Sequence, residues 1–161
     1  MRKGRLQGES EGWSMSAEEA LPETLQFIQI LWQLDHVLNT RSRRMLKVLG
    51  VTGPQRFAVR VVGLRPGCTP GHLARLLHVT PATVTRVVQR LEEAGLVRRE
   101  PDPADSRRVR LHLTPKGRKL DERVDFSGES PILDVLQKTP AGRIEETRRL
   151  LAALIASLEH G

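Results

Sequence analysis

Four Thr-Pro pairs, Thr69-Pro70, Thr80-Pro81, Thr114-Pro115 and Thr139-Pro140, punctuate the chain from residue 69 onwards. In each pair the threonine oxygen suits the N-cap, where it accepts from a backbone N–H. The proline then presets φ at the first helical position, whose own N–H has no partner to lose. Gly50, Gly63 and Gly95 each follow an apolar stretch of helical period, so each is expected to close a helix in the left-handed conformation. Helices this short gain their stability from packing rather than from propensity, which predicts a set of small helices sharing one core.

The hydrophobic period fills in the rest. Leu25, Ile28, Leu31, Trp32 and Leu38 form one stripe, widened by Phe27, Ile30, Leu34 and Val37, and predict a long helix from Leu21 to about Leu49 that needs more than one neighbour. A last helix, about 140–159, repeats Ile144, Leu150, Leu151, Leu154, Ile155 and Leu158 at helical spacing and is its expected partner. Between them lie helices at about 52–62, 70–77 and 81–94. After Gly95 the period changes to two: Val109, Leu111 and Leu113 alternate with Arg108, Arg110 and His112, the pattern of a half-buried strand. Residues 96–100 would pair with it, and the polar, proline-rich stretch 101–107 would form the hairpin tip. A helix resumes from Pro115 to about Val124 and is interrupted over 126–131 by Gly128 and Pro131.

The expected fold class is mainly α with a small β-hairpin. Residues 1–16, polar and without periodicity, read as a disordered arm, with Met15 as an alternative start. The remaining divisions are a long helix (17–50), a helix-turn-helix with hairpin (51–124) and a C-terminal helical region (125–161). No stretch has the length of a membrane span; the longest apolar run is Leu150 to Ala156, and the start does not lead into an apolar secretory segment, so the expected location is the cytoplasm.

Two short helices joined by His78-Val79-Thr80 fit a helix-turn-helix, with Leu73, Ala74, Leu77, Val79, Val84 and Leu91 as shared core. On the second helix Val84, Val87, Val88 and Leu91 gather on one side, while Ala82, Arg86, Gln89 and Arg90 lie opposite and Thr85 flanks them. Arginine can bond guanine through two atoms, glutamine adenine, and alanine or threonine methyls can touch thymine, so this face has the residues for reading a major groove. Thr80 and Thr83 near its start are candidates for holding phosphates. A hairpin after a helix-turn-helix makes a winged helix, and the expected wing carries Arg107 and Arg108 at its tip. Asp105, two residues before Arg107, is expected to orient that guanidinium.

The charge supports a polyanionic partner. The chain has 26 Lys plus Arg against 19 Asp plus Glu, and the whole net excess of +7 falls within residues 65–119, where twelve basic residues meet five acidic ones. With two Trp, three Phe and no Tyr, few rings are available to stack unpaired bases, so duplex DNA is favoured over single strands. A protein-interaction winged helix that uses this basic face on an acidic partner, and a non-specific architectural DNA binder, are the alternatives.

Leu91-Glu92-Glu93-Ala94-Gly95-Leu96-Val97-Arg98-Arg99, then Asp105-Ser106-Arg107-Arg108, then Leu113-Thr114-Pro115-Lys116-Gly117-Arg118 resembles the multiple antibiotic resistance regulator (MarR) family, and looser similarity extends from about Leu21 to Leu158. The resemblance implies a homodimeric winged helix-turn-helix transcriptional regulator, usually a repressor, with interlocking terminal dimerisation helices. It further implies release from DNA by a small anionic or phenolic effector or by thiol oxidation. In such folds an effector pocket would lie between the dimer helices and the DNA-binding lobe, which makes Trp32, His36, Arg43 and Phe57 candidates by location. The family's fifth helix often continues unbroken towards the dimer interface, whereas here Gly128 and Pro131 intervene.

The single cysteine, Cys68, excludes a disulfide framework within the chain and reads first as a packed residue, although its place before a helix start would favour a thiolate. The five histidines are scattered without metal-ligand spacing. There is no nucleophile motif, phosphate loop or carboxylate pair, so neither a metal, a cofactor nor an enzyme activity is expected.

Overall fold

The computed structural model describes residues 21–123 and 129–160. Helix α1 (Glu23–Leu49) starts in a first compact unit that ends at Val37 and runs on into a second unit from Leu38. In the first unit the apolar residues Leu25, Phe27, Ile30, Trp32, Leu34 and Val37 are exposed, Trp32 at 74%. The arm at 1–16 lies outside the described residues, and the helix expected to run from Pro115 to about Val124 ends earlier, at Asp121, where Glu122 caps it by donating its N–H to the Arg118 carbonyl.

The second unit contains α2 (Gly53–Leu64), α3 (Pro70–Leu77), α4 (Pro81–Glu93), β1 (Val97–Asp102), β2 (Asp105–Leu113), α5 (Pro115–Asp121), α6 (Glu129–Gln137) and α7 (Ala141–His160). Three of the four Thr-Pro pairs start helices as expected: the hydroxyls of Thr69, Thr80 and Thr114 accept from the N–H groups of His72, Thr83 and Gly117 at 3.2, 3.2 and 3.0 Å. Thr52 caps α2 in the same way within a reciprocal box, since its own N–H donates to Gln55 Oε1 at 2.8 Å. The fourth pair behaves differently. The Thr139 hydroxyl donates backwards to the Val135 carbonyl at 2.8 Å, so it serves the end of α6 rather than the start of α7.

Gly50 and Gly95 are left-handed, at φ +73° and +67°, as expected of helix ends. Gly63 is not; it lies inside α2, where a side chain would run into the Asp121 carboxylate and approach Leu113 Cδ1 at 3.2 Å. The left-handed residue that ends α3 is His78, at φ +51°.

Leu73 and Ala74 of α3, Val84, Val88 and Leu91 of α4, and Ala58, Val59 and Val62 of α2 form the core, closed by Leu96, Val97, Leu111, Leu113 and Leu120. The two strands are antiparallel, with Val97 opposite Leu113, Arg99 opposite Leu111 and Pro101 opposite Val109; an irregularity follows Pro101, and Asp102 then meets Asp105. The strands therefore run further into the tip than the 101–107 loop expected from composition, leaving Pro103 and Ala104 as the turn. A bridge between Cys68 and Leu111 ties the segment before α3 to the hairpin: the Gly67 N–H donates to the Leu111 carbonyl and the Leu111 N–H to the Cys68 carbonyl, both at 2.9 Å.

Helix α5 is seated on this sheet through Gly117, whose missing Cβ would overlap the Leu96 carbonyl. That obstacle is backbone, which yields less readily than a flexible side chain, so Gly117→Ala is expected to cost at least about 2 kcal/mol. Urea denaturation checks it, and a midpoint equal to the parent's at the same slope would refute the close approach.

Helix α6 occupies a stretch whose beginning the sequence marked as a break. Pro131 is its third residue, in the first turn, where a missing N–H costs little. None of the residues of α6 or α7 is buried, and Ile132, Val135, Leu150, Ile155 and Leu158 are all exposed. Among the described residues no helix is long and apolar enough to cross a membrane.

Candidate nucleic-acid interface

Helix α4 is amphipathic in the way its sequence demands. Val84, Val88 and Leu91 are buried, Val87 is half-buried, and Ala82, Thr83, Thr85, Arg86, Gln89 and Arg90 are exposed. Thr80 and Thr83 join hydroxyls at 3.0 Å at the start of the helix, and the Thr85 hydroxyl donates to the Pro81 carbonyl at 2.8 Å. Gln89 Nε2 donates to Glu93 Oε1 at 3.0 Å. An ionised carboxylate only accepts, so it fixes which end of the Gln89 amide faces it and leaves Oε1 free. The guanidiniums of Arg86 and Arg90 form no hydrogen bond or ion pair with any described residue.

The hairpin treats its arginines differently. Asp105 Oδ1 accepts from the Arg107 N–H at 3.1 Å and lies 3.4 Å from Arg107 Nε, while Arg108 Nε is 3.5 Å from Oδ2. The carboxylate reaches both tip arginines, one more than the sequence suggested. A second holding point was missed: Asp102 pairs with Arg110 Nε at 2.9 Å and accepts from the Ala104 N–H at 2.9 Å. Those bonds, the one from Arg110 first, hold the Asp102 carboxyl below the usual carboxylate range. Its signal was present in the sequence, an aspartate two residues before the turn residue whose N–H it accepts. Arg99 pairs with Glu92 at 2.8 Å, and Glu100 lies between Arg98 and His112. These pairs are exposed or half-exposed and add little stability; their effect is to fix where the guanidiniums point.

Arg56, which nothing in the sequence marked as special, is 2% exposed. It pairs with Asp121 Oδ1 at 3.2 Å, and its Nη2 donates to the carbonyls of Asp121 and Arg123 at 3.0 and 2.9 Å. Arg60 pairs with Asp121 Oδ2 at 3.3 Å, so α2 and the end of α5 are clamped by charge.

Of the four effector candidates, Trp32 and His36 are exposed on α1 in the first unit. In the second, Arg43 Nη2 donates to Thr40 Oγ1 at 3.2 Å, and Phe57 lines an apolar cavity of about 580 Å³ together with Leu76, Val79, Thr83, Arg86 and Arg90. The cavity thus opens beside the two unpaired arginines of α4. Cys68 is half-buried, and burial pushes its thiol up, outweighing the backbone hydrogen bond and Arg65 that pull it down. That is the opposite of what a reactive thiolate at a helix start requires.

The comparisons with known proteins agree with this arrangement. Residues 49–108 match the model of the MarR family. The chain is 30% identical over 125 residues to the HTH-type transcriptional repressor Rv2887 of Mycobacterium tuberculosis, spanning 78% of this chain and 90% of that one. It is 33% identical over 109 residues to the transcriptional regulator HosA of Escherichia coli O111:H-, spanning 67% and 77%. In fold it is similar to Staphylococcus aureus MepR in a complex with DNA, with a TM-score of 0.66, 21% identity, and 86% and 99% of the two chains covered. A helix-turn-helix with an arginine-tipped hairpin, matched by these relatives over most of its length, places the chain in the MarR family of winged-helix transcription regulators.

Proposed function

We propose that the protein binds duplex DNA sequence-specifically as a homodimer on a pseudo-palindromic operator, acting as a repressor at the nucleoid in the cytoplasm. The observation that carries this reading is the outer face of α4: Ala82, Thr85, Arg86, Gln89 and Arg90 are all exposed, and its two guanidiniums have no partner among the described residues. Thr80 and Thr83 at the helix start would meet phosphates. Asp105 would hold Arg107 and Arg108 out from the wing towards the minor groove or the backbone. Repression is what the name of the Rv2887 relative states for that protein.

The dimer is supported by the apolar side chains that α1, α6 and α7 leave uncovered, among them Trp32, Ile132 and Ile155. So many exposed large apolar residues mark an interaction surface. A twofold axis would set the two copies of α4 about 34–36 Å apart, in successive major grooves. A small anionic or phenolic effector in the cavity beside Phe57 would engage Arg86 and Arg90, and so compete with DNA for the same cations.

The experiment is selection of bound fragments from the source genome, followed by gel shifts of the recovered site and scrambled controls across a salt series. A specific duplex is expected to bind about 10³-fold or more tighter than its scramble, with affinity falling steeply as salt rises. Equal affinity for both would leave an architectural DNA binder. No binding to any duplex at low salt would leave the basic face to a protein partner.

A further inference from the structure

Arg65, His72 and Arg75 form a cationic cluster outside both the recognition helix and the wing tip. Arg65 Nη1 stands 3.5 Å from His72 Nε2, and Arg75 Nη2 stands 3.4 Å from His72 Nδ1. Both guanidiniums are exposed, and neither pairs with a carboxylate among the described residues. Many other arginines of this lobe are paired off, Arg56 and Arg60 with Asp121, Arg98 with Glu100, Arg99 with Glu92, and the wing arginines with Asp102 and Asp105, while Arg118 donates to the Leu113 carbonyl. Arg65 and Arg75 share their lack of a counter-charge with Arg86 and Arg90.

Donors and acceptors in the cluster do not balance. A guanidinium offers donors only, and a neutral imidazole has one acceptor nitrogen; the other carries a proton. With an arginine at each ring nitrogen, at least one approach sets donor against donor. His72 stands in the first turn of α3, where no acidic residue is present, with Arg65 before the helix and Arg75 in its last turn. An anionic acceptor between the three groups would complete the cluster.

We infer that Arg65, His72 and Arg75 form a seat for a backbone phosphate of duplex DNA, flanking the groove that α4 enters. The position suits this occupant. The first helix of a helix-turn-helix crosses the backbone while the second enters the groove. The Cys68–Leu111 bridge brings the segment after Arg65 against the hairpin, where a Cβ on Gly67 would lie 3.6 Å from both Arg110 Cδ and His112 Cε1. The cluster therefore continues the cationic surface from α3 onto the wing. The inference rests on the DNA-binding reading above, and it adds a sequence-independent grip beside those of the α4 start and the wing tip.

The test uses the full chain and a random-sequence duplex of about 30 base pairs, because a phosphate seat does not need the operator. Arg65→Gln/Arg75→Gln is expected to bind every duplex about 10-fold more weakly at low salt. The slope of log affinity against log salt should fall by about 1 for each phosphate that is no longer neutralised, with the ranking of duplexes unchanged. Arg75→Lys, which keeps the charge, should retain the parent slope and guards against a folding defect in the double variant. Unchanged affinity and slope in the double variant, while the parent binds the duplex with a steep salt dependence, would overturn the seat and leave the DNA reading standing. A parent protein that ignores all duplexes would remove both. In a third arm, His72 ring resonances that shift with inorganic phosphate but not with DNA would reassign the cluster to a free anion and overturn the backbone assignment.

Discussion

Asp121→Ala is expected to destabilise the protein by about 3–5 kcal/mol, measured by urea unfolding at fixed chain concentration. The size follows from what the change leaves behind. Arg56 is 2% exposed and its Nε already has no partner, so without the carboxylate its charge rests on the carbonyls of residues 121 and 123 alone. A buried charge stripped of its counter-ion costs far more than an exposed pair gains. Arg56→Met removes the charge and fills much of its volume, leaving Asp121 to Arg60, and should cost less than Asp121→Ala. The double variant Arg56→Met/Asp121→Ala should be more stable than Asp121→Ala alone, because it no longer buries an orphan cation. If it is not, the two side chains are uncoupled and the clamp between α2 and α5 is not what holds these helices together.

That clamp shows where the sequence stops being legible. Arg56 and Asp121 are 65 positions apart, and an arginine within a helical pattern carries no mark of burial; only the packing of α2 on α5 reveals it. Features encoded within a few residues were readable. Thr69, Thr80 and Thr114 cap helices because each hydroxyl and the N–H it accepts from are three positions apart. The outer face of α4 was readable from its helical period, and the alternation of β2 from its period of two. Thr139 has the same local signature as the other three, but the Val135 carbonyl lies within its reach and takes the hydroxyl instead. Gly63 and Gly117 were visible as glycines, yet their reason is a close approach by another element rather than a left-handed turn. In the site, Asp105 was legible because its partners follow within three residues. The Arg65–His72–Arg75 cluster was not, since it depends on how the loop before α3 folds back over the helix start.

The largest effect on DNA recognition is expected from Arg86→Ala. Of the groups on the outer face of α4, Gln89 is engaged by Glu93 and Thr85 by the Pro81 carbonyl, whereas Arg86 is unpaired among the described residues and so has no internal bond to exchange for a bond to a base. A bidentate arginine–guanine pair discriminates by about 1–3 kcal/mol, and the proposed homodimer would lose it in both half-sites, so the specific complex should weaken by about 2–6 kcal/mol. Non-specific binding should weaken much less, because the proposed phosphate grips of the wing and of α3 would remain. The consequence is a compressed ratio between operator and scrambled duplex, with a salt slope close to the parent's. Arg107→Ala should do the reverse, lowering the slope while preserving the ratio, if the wing grips the backbone. The two variants measured side by side on both duplexes separate reading from gripping. An Arg86→Ala protein that loses equal affinity for operator and scramble would show that α4 lies along the phosphates rather than in the groove.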